Sequence, residues 1–113
     1  MFEKPKRILR EYVRKNNIKC CYCGRKYTYK NKMSIDHLLP KIKGGTYDTN
    51  NIVVACVNCN SQKKQNMTIE EFLVVFPIAI KHLENYIERM GKLYVHNKRY
   101  VDEISWIKQY FRK

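Results

Sequence analysis

Residues 20–60 of this 113-residue chain read CCYCGRKYTYKNKMSIDHLLPKIKGGTYDTNNIVVACVNCN. The stretch opens and closes on a C-x-x-C pair, Cys20 with Cys23 and Cys56 with Cys59, and 32 residues separate the two pairs. Two cysteines three positions apart on a tight turn can direct both thiolates to one Zn²⁺, and two such turns complete a tetrahedral shell. We therefore predict one structural zinc ion held by these four cysteines.

Two other interpretations of the cysteines stay open, a redox-active C-x-x-C pair and buried free thiols. The βαβ pattern that accompanies a thioredoxin-like redox pair is missing from the sequence. Cys21 lies inside the first pair, and its use as a ligand with Cys23 would require a poorer C-x-C geometry. We predict that Cys21 is a packing thiol. A structural zinc ion would also stabilise a chain of this size, whose apolar core is limited.

Two short apolar runs lie between the cysteine pairs, at residues 33–39 and 52–57. Each run has the length of a strand and is too short for a useful helix. Gly44-Gly45 marks a turn in the segment between them, and Pro40 limits the first strand at its end. The pattern predicts two strands joined by a loop.

The motifs in and around these strands resemble those of the HNH endonuclease family, in its zinc-stapled branch. They are the first cysteine pair, the Asp36-His37-x-x-Pro40 strand, the Gly44-Gly45 loop, Asn51 five residues before Cys56, and the Cys59-Asn60-x-x-Lys63 run. Each motif alone is weak evidence for the resemblance, but together the motifs follow the family's order and lie near its spacings over residues 18–75. Small nucleases of this kind resemble proteins of phages and mobile elements.

The resemblance implies an α+β fold with a small ββα-metal (His-Me finger) core, two antiparallel strands and a helix, stapled here by the four-cysteine zinc site. It implies that His37 is the general base and that Asp36 and Asn60 are protein ligands of a catalytic divalent ion. Asn51 corresponds to the middle Asn of the motif, which ties the loop and helps to hold the base. Many members carry His where this chain has Asn60, and the Asn form also occurs.

The residue types agree with phosphodiester hydrolysis, which needs a water, a base and neutralisation of charge on the phosphate. An imidazole with a pKa near ~6.5 is available as a base at pH 7. One carboxylate and one amide oxygen are hard ligands, which favours one Mg²⁺ or Mn²⁺ at the catalytic site. Neighbours on a strand point to opposite faces, so Asp36 and His37 need an irregular strand or a strand end to reach one phosphate.

The charge distribution indicates a polyanionic partner. Lys and Arg number 23 against 10 Asp and Glu, and residues 1–66 hold +11 of the net charge of +13. With the resemblance, the excess favours DNA, which we expect to be double-stranded. The candidate phosphate contacts around the finger are Arg25, Lys26, Lys41, Lys43, Lys63 and Lys64. A solvated surface is the alternative for any one of them.

No apolar run of transmembrane length and no signal peptide are visible, so we expect no membrane contact and a cytoplasmic location, in the host cell if the protein is phage-encoded.

Helical patterns flank the finger on both sides. Pro5 and the apolar spacing after it predict an amphipathic helix over residues 5–16. Thr68 and Glu71 match a capping box, which opens a helix to about residue 75. Two further apolar stripes at helical spacing run through residues 80–90 and 101–111. They are expected to pack in the core, and the alternative is a surface for a homodimer or a larger protein partner.

The sequence thus predicts a single domain over residues 1–113, made of a basic N-terminal helix (1–19), a zinc-stapled finger (20–66) and a helical extension (67–113). The predicted function is that of a metal-dependent DNA endonuclease or nickase. The alternatives are a catalytically inactive zinc-containing nucleic-acid-binding module and an accessory or assembly factor that docks on a larger nucleic-acid enzyme. His82 and His96 are expected to face solvent.

Overall fold

Two antiparallel strands followed by a helix lie at the centre of the fold. The computed structural model describes residues 4–111 of the chain, and within them β1 (Met33–His37) pairs with β2 (Ile52–Cys56) in an unbroken register. A seven-residue helix, Asn58–Lys64, follows β2 and contacts both strands. This arrangement confirms the predicted α+β class and its small ββα core, and the strands fall within the two apolar runs of the sequence.

Further helices and a second hairpin surround this core. The remaining elements are α1 (Pro5–Lys15), α2 (Ile69–Val75), α3 (Ala79–Arg89), β3 (Tyr94–Val95), β4 (Lys98–Arg99) and α4 (Tyr100–Glu103), with 3₁₀ turns at Lys41–Lys43 and Ser105–Tyr110. The strands β3 and β4 pair with each other and not with the central hairpin. Within residues 4–111, none of the helices combines the length and the apolar character needed to cross a membrane.

Strand β2 is buried at every position. Burial on both faces explains why its sequence, IVVAC, is a continuous apolar run and does not alternate with polar residues. Helix α1 contacts this strand, and its own buried residues are Leu9 and Val13. The helix begins at Pro5, as predicted, and ends within one residue of the predicted end.

The outer edge of β2, which faces away from β1, is covered by side chains and by the first cysteine pair. The Tyr100 hydroxyl donates to the Ile52 carbonyl at 2.7 Å, and the Val54 N–H donates to the Tyr86 hydroxyl at 3.2 Å. The two hydroxyls lie 2.9 Å apart, so Tyr86 donates to Tyr100. The Cys21 N–H donates to the Val54 carbonyl at 3.2 Å. Backbone groups that no strand pairs are thus satisfied in the core.

The capping box predicted at the start of α2 is present. The Thr68 hydroxyl accepts from the Glu71 N–H at 3.1 Å, and the Glu71 carboxylate accepts from the Thr68 N–H at 2.8 Å. The Ile69 N–H also donates to the Leu38 carbonyl at 2.9 Å. The cap therefore gives N–H groups of the first turn of α2 their hydrogen-bond acceptors, and the bond to Leu38 attaches α2 to the residue that follows β1.

The prediction of one regular helix over residues 101–111 is wrong. These residues instead lie in the short α4 and in the 3₁₀ turn that follows it. Before them comes the β3–β4 hairpin, whose turn residues His96 and Asn97 have φ values of 51° and 68°. A turn with two residues at positive φ matches the twist of a tight hairpin. Val101, Ile104 and Ile107 are buried, as expected of core residues. Their spacing of three residues fits a 3₁₀ turn, which has three residues per turn.

The C-terminal 3₁₀ turn is attached to the loop that precedes β2. The Trp106 indole N–H donates to the Asn50 carbonyl at 2.7 Å. Elsewhere, the Arg89 guanidinium donates to the Asn16 carbonyl at 2.8 Å, which joins the end of α3 to the end of α1. The two bonds thus join segments that are 56 and 73 residues apart in sequence.

We predict that Tyr100→Phe lowers the free energy of unfolding by about 1–3 kcal/mol, because it leaves the buried Ile52 carbonyl and Tyr86 hydroxyl without their partner. Urea unfolding of the zinc-loaded protein measures the change. Tyr94→Phe is the matched control, since Tyr94 is 59% exposed, and it should unfold like the parent. Equal stability of Tyr100→Phe and the parent would contradict the prediction.

Candidate metal centre and active site

The four predicted zinc ligands lie together. The sulfur atoms of Cys20, Cys23, Cys56 and Cys59 are all within 4.8 Å of one another, and those of Cys23 and Cys56 are 3.8 Å apart. Zn–S bonds of about 2.3 Å in a tetrahedron place sulfurs roughly 3.8 Å apart. The cluster therefore could hold a zinc ion, as the cysteine spacing predicts, and all four of its positions are filled by thiols.

Backbone N–H groups point at the sulfurs of this cluster. Cys20 Sγ accepts from the N–H groups of Cys56, at 3.2 Å, and Tyr22, at 3.4 Å, and Cys56 Sγ accepts from the Cys59 N–H at 3.5 Å. Side-chain hydrogen bonds from Cys21 and Cys59 hold the pKa of Cys20 well below its usual range. Groups that favour a thiolate also favour a metal ligand, because only the deprotonated sulfur binds.

Cys21 and His82 lie beside the cluster. Cys21 is fully buried, and burial raises the pKa of its thiol, which agrees with a packing role. His82 was expected to face solvent, but its ring is half-buried against Gly24, where an added Cβ would come within 2.6 Å of His82 Nδ1. Gly24 also has a φ of 69°. A glycine at this turn therefore leaves the space that the ring fills.

The helix after the second cysteine pair lies over one face of β1. Its last turn closes with a wide i→i+5 hydrogen bond, from the Gln65 N–H to the Asn60 carbonyl at 2.9 Å. The Asn60 side chain donates through Nδ2 to Ser34 Oγ at 3.1 Å and to the Ile35 carbonyl at 3.2 Å. Among residues 4–111, no hydrogen bond to Asn60 Oδ1 is found, so the amide oxygen is left for a ligand.

Asp36 points under the same helix, into a buried charged cluster. Its side chain is 5% exposed, and Oδ2 pairs with the fully buried Lys64 Nζ at 3.1 Å. The Tyr22 hydroxyl also donates to Asp36 Oδ2. Burial raises the pKa of Asp36, and the Lys64 charge and the Tyr22 hydrogen bond oppose that rise. Both contacts fall on Oδ2, so Oδ1 is the carboxylate oxygen that neither residue holds.

The assignment of Lys64 as a phosphate contact is wrong. Its side chain has no exposed surface, and besides Asp36 its ammonium donates to the His37 carbonyl at 2.8 Å. Lys64 follows Asn60 by four residues on a widened helical turn, and this spacing turns both side chains toward β1. A buried cation needs a counter-charge, which is what Asp36 provides.

His37 is the last residue of β1, and its ring points into surroundings different from those of Asp36. The residue is 9% exposed, and its Nε2 is buried with no hydrogen-bond partner in the described part of the chain. The ring lies edge-on to Tyr47, with centroids 4.3 Å apart. Burial lowers the pKa of His37, the charges of Lys41 and Lys64 lower it further, and Asp36 opposes them. The site therefore favours the neutral imidazole.

Asn51 holds the loop between the strands through three hydrogen bonds. Its Oδ1 accepts from the Leu39 N–H at 2.8 Å, and its Nδ2 donates to the carbonyls of Leu39, at 3.0 Å, and Thr46, at 2.9 Å. A Cβ at Gly45 would lie 1.7 Å from the Leu39 carbonyl oxygen. The second glycine of the predicted Gly-Gly turn is thus required by the close approach of two backbone segments.

The predicted phosphate contacts other than Lys64 remain on the surface. Arg25, Lys26, Lys41 and Lys63 are exposed, and Lys43 is exposed but pairs with Glu71 at 3.0 Å. The sequence did not predict that Tyr47 lies beside His37 or that Lys6 lies over the Tyr47 ring. The ammonium groups of Lys6 and Lys41 lie 5.1 and 5.0 Å from the Tyr47 ring centroid. A single tyrosine in a polar loop carries no pattern that predicts these contacts.

Comparisons with known proteins single out this same region. Residues 20–72 match a family model described as HNH endonuclease. The CRISPR-associated endonuclease Cas9 of Corynebacterium diphtheriae is 36% identical over 52 residues, which cover 45% of this chain and 5% of that protein. The shared segment is thus a small part of that relative. No solved structure matches the chain significantly.

We predict that Cys56→Ser loses its zinc, because three thiolates and a hydroxyl do not reproduce the tetrathiolate shell. Metal analysis of the purified protein should give about one zinc per parent chain and much less for the variant, with a lower melting temperature. Cys21→Ala is the matched control and should keep its zinc. A folded Cys56→Ser protein that retains a full zinc equivalent would rule out the four-cysteine site.

Proposed function

We propose that this chain, whose residues 20–72 match a family model described as HNH endonuclease, is a metal-dependent endonuclease or nickase that hydrolyses phosphodiester bonds of DNA. The observation that carries the proposal is the environment of His37, a neutral imidazole whose Nε2 is buried without a partner. A neutral imidazole can accept a proton from water at neutral pH through the ring nitrogen that carries no hydrogen. In this proposal His37 is the general base, and the domain formed by residues 1–113 acts as one unit.

The proposed ligands of the catalytic divalent ion are Asp36 and Asn60. Each has one oxygen atom available for an ion. Lys64 and Tyr22 contact Asp36 through Oδ2, which leaves Oδ1. Asn60 contacts β1 through Nδ2, which leaves its Oδ1. Hard oxygen donors from one carboxylate and one amide fit Mg²⁺ or Mn²⁺. When bound, such an ion would neutralise charge that develops on the phosphate. The zinc ion of the cysteine cluster has a structural role in this proposal.

Asn51 is proposed to act on the base indirectly. Its side chain fixes both the N–H and the carbonyl of Leu39, two residues after His37. Its backbone carbonyl also accepts from the Leu38 N–H at 2.8 Å. These bonds hold the chain as it leaves β1 and support a role for Asn51 in positioning the imidazole, without contact to the reacting phosphate.

Surface cations around the finger support a nucleic-acid partner. The proposed phosphate contacts are Arg25, Lys26, Lys41, Lys43 and Lys63, and we propose double-stranded DNA as the substrate. Such contacts neutralise phosphates and position the duplex without reading its sequence. The +11 charge of residues 1–66 adds long-range attraction.

One observation favours the alternative of an inactive nucleic-acid-binding module. Lys64 already neutralises Asp36, the proposed metal ligand, within the protein.

A second observation supports a protein partner or a second copy at the helical extension, since Val74, Val75 and Ile78 are 66%, 64% and 56% exposed at the junction of α2 and α3. Phage-type nucleases that work beside a larger enzyme would use such a surface.

We predict that the parent nicks supercoiled plasmid with Mg²⁺ or Mn²⁺ and that EDTA stops the reaction. His37→Ala should cut about 10²–10⁴-fold more slowly, since that is the usual contribution of a general base. Because burial lowers the pKa of His37, the acid limb of the parent's rate–pH profile should have its midpoint below about 6.5.

His96→Ala is the control for this experiment, because His96 lies at the exposed turn of the β3–β4 hairpin. It should cut like the parent. Equal rates for His37→Ala and the parent would remove His37 from its proposed role. Binding of DNA by the parent without any cutting, over all metals tested, would favour the inactive module.

We predict that DNA affinity falls steeply with salt, with a log–log slope of about −4.5 if five phosphates are neutralised. Lys41→Gln and Lys63→Gln should each make the slope shallower by roughly one. Fluorescence anisotropy of a labelled duplex at several salt concentrations measures it. Lys81→Gln, at an exposed position of α3, is the control and should keep the parent slope. A parent slope close to zero would contradict the proposed interface.

A further inference from the structure

Lys64 is the one fully buried cation in residues 4–111. Its ammonium contacts two acceptors that belong to neighbouring residues, the Asp36 carboxylate at 3.1 Å and the His37 carbonyl at 2.8 Å. An ammonium withdrawn from water is stable only where hydrogen bonds and a counter-charge replace its hydration. The two contacts therefore fix both Lys64 and the end of β1.

The charges around the proposed metal position cancel. Asp36 contributes one negative charge, Lys64 contributes one positive charge, and the side chains of Asn60 and Tyr22 are neutral. The affinity of an oxygen site for a divalent cation rises with the negative charge of its ligands. Within the described residues, the protein thus offers two oxygen donors and no net charge to attract the ion.

A nucleic-acid phosphate supplies the charge that this set lacks. Each phosphodiester carries a negative charge and oxygen atoms of the hard type that Mg²⁺ and Mn²⁺ bind. An ion placed between the protein oxygens and a phosphate would have a net negative set of ligands. Binding of the ion and binding of the nucleic acid must then strengthen each other by the same factor.

We propose that Lys64 makes binding of the catalytic divalent ion depend on nucleic acid. In the protein without nucleic acid, Lys64 neutralises the charge of Asp36, and it contacts this carboxylate through Oδ2 alone. This inference rests on the proposed function of the same site. Lys64 is a positioning residue, since it acts through Asp36 and the backbone of His37. The consequence is a protein that takes up Mg²⁺ or Mn²⁺ with its substrate and hardly at all in free solution.

The test measures Mn²⁺ binding by electron paramagnetic resonance in the full-length, zinc-loaded His37→Ala protein, so that DNA stays uncut. The Mn²⁺ dissociation constant is determined without DNA and with a saturating duplex, after subtraction of Mn²⁺ bound by the duplex alone. We expect binding to be at least ten-fold tighter with DNA. Equal Mn²⁺ affinity with and without bound DNA would overturn the inference and leave the proposed function standing.

Variants at Lys64 assign the effect to its charge. In the same background, Lys64→Met should tighten DNA-free Mn²⁺ binding at least ten-fold and reduce the dependence on DNA, whereas Lys64→Arg should keep the parent behaviour. Lys81→Met is the control, since Lys81 is exposed on α3 and lies outside the proposed metal and phosphate contacts, and it should leave DNA-free binding unchanged. Weak, unaltered DNA-free binding in a folded Lys64→Met protein would overturn the role of Lys64.

The two proposals can fail separately. Should Lys64→Met not fold, as judged by circular dichroism and zinc content, the parent comparison with and without DNA and the Lys64→Arg variant still decide the inference. Loss of DNA binding by the His37→Ala protein under all conditions would overturn the proposed function and this inference together. DNA binding with metal-independent cutting by the parent would overturn both proposed metal ligands.

Discussion

The hydrogen bonds along the outer edge of β2 are the constraint on which the rest of the structure depends. A strand with one neighbour leaves alternate backbone groups unpaired, and in an apolar interior each costs about 1–3 kcal/mol. Here the first cysteine pair covers one part of the edge, and Tyr86 and Tyr100 cover the other. The segment before β1 and the helical extension therefore attach to the same strand, although only the former contains ligands of the candidate zinc site. A minimal ββα finger without the extension would expose the part of that edge that Tyr86 and Tyr100 cover.

Strand alternation gives Asp36 and His37 different electrostatic surroundings although they are neighbours. Burial disfavours the charged form of both, which raises the pKa of Asp36 and lowers that of His37. At Asp36, the Lys64 charge and the Tyr22 hydroxyl oppose the effect of burial on the pKa. At His37, the charges of Lys41 and Lys64 lower the pKa further. The same Lys64 contributes to both results. One cation thus favours a carboxylate on one side of β1 and a neutral imidazole on the other.

Much of the fold could be predicted because its signals are local. The C-x-x-C spacing, the Thr68–Glu71 capping box and the two apolar runs each depend on residues a few positions apart, and all are present in the structure. The grouping of Tyr22, Asp36 and Lys64 depends on how three segments pack, and no local period encodes it. Lys64 in particular lies in a polar stretch, where only the widened turn of the helix decides which lysine turns inward. The hairpin at His96 and Asn97 was missed for a related reason, since neither residue forms a common Asn-Gly turn signal.

The contact between Trp106 and Asn50 gives the molecule an optical property. The chain has a single tryptophan, and its indole N–H is bonded to the carbonyl immediately before Asn51, the residue that holds the loop beside His37. Indole emission is sensitive to the loss of such a bond and to the entry of water. Intrinsic fluorescence of the unlabelled protein thus reads out the state of the loop next to the candidate base, and it does so without a probe attached near the site.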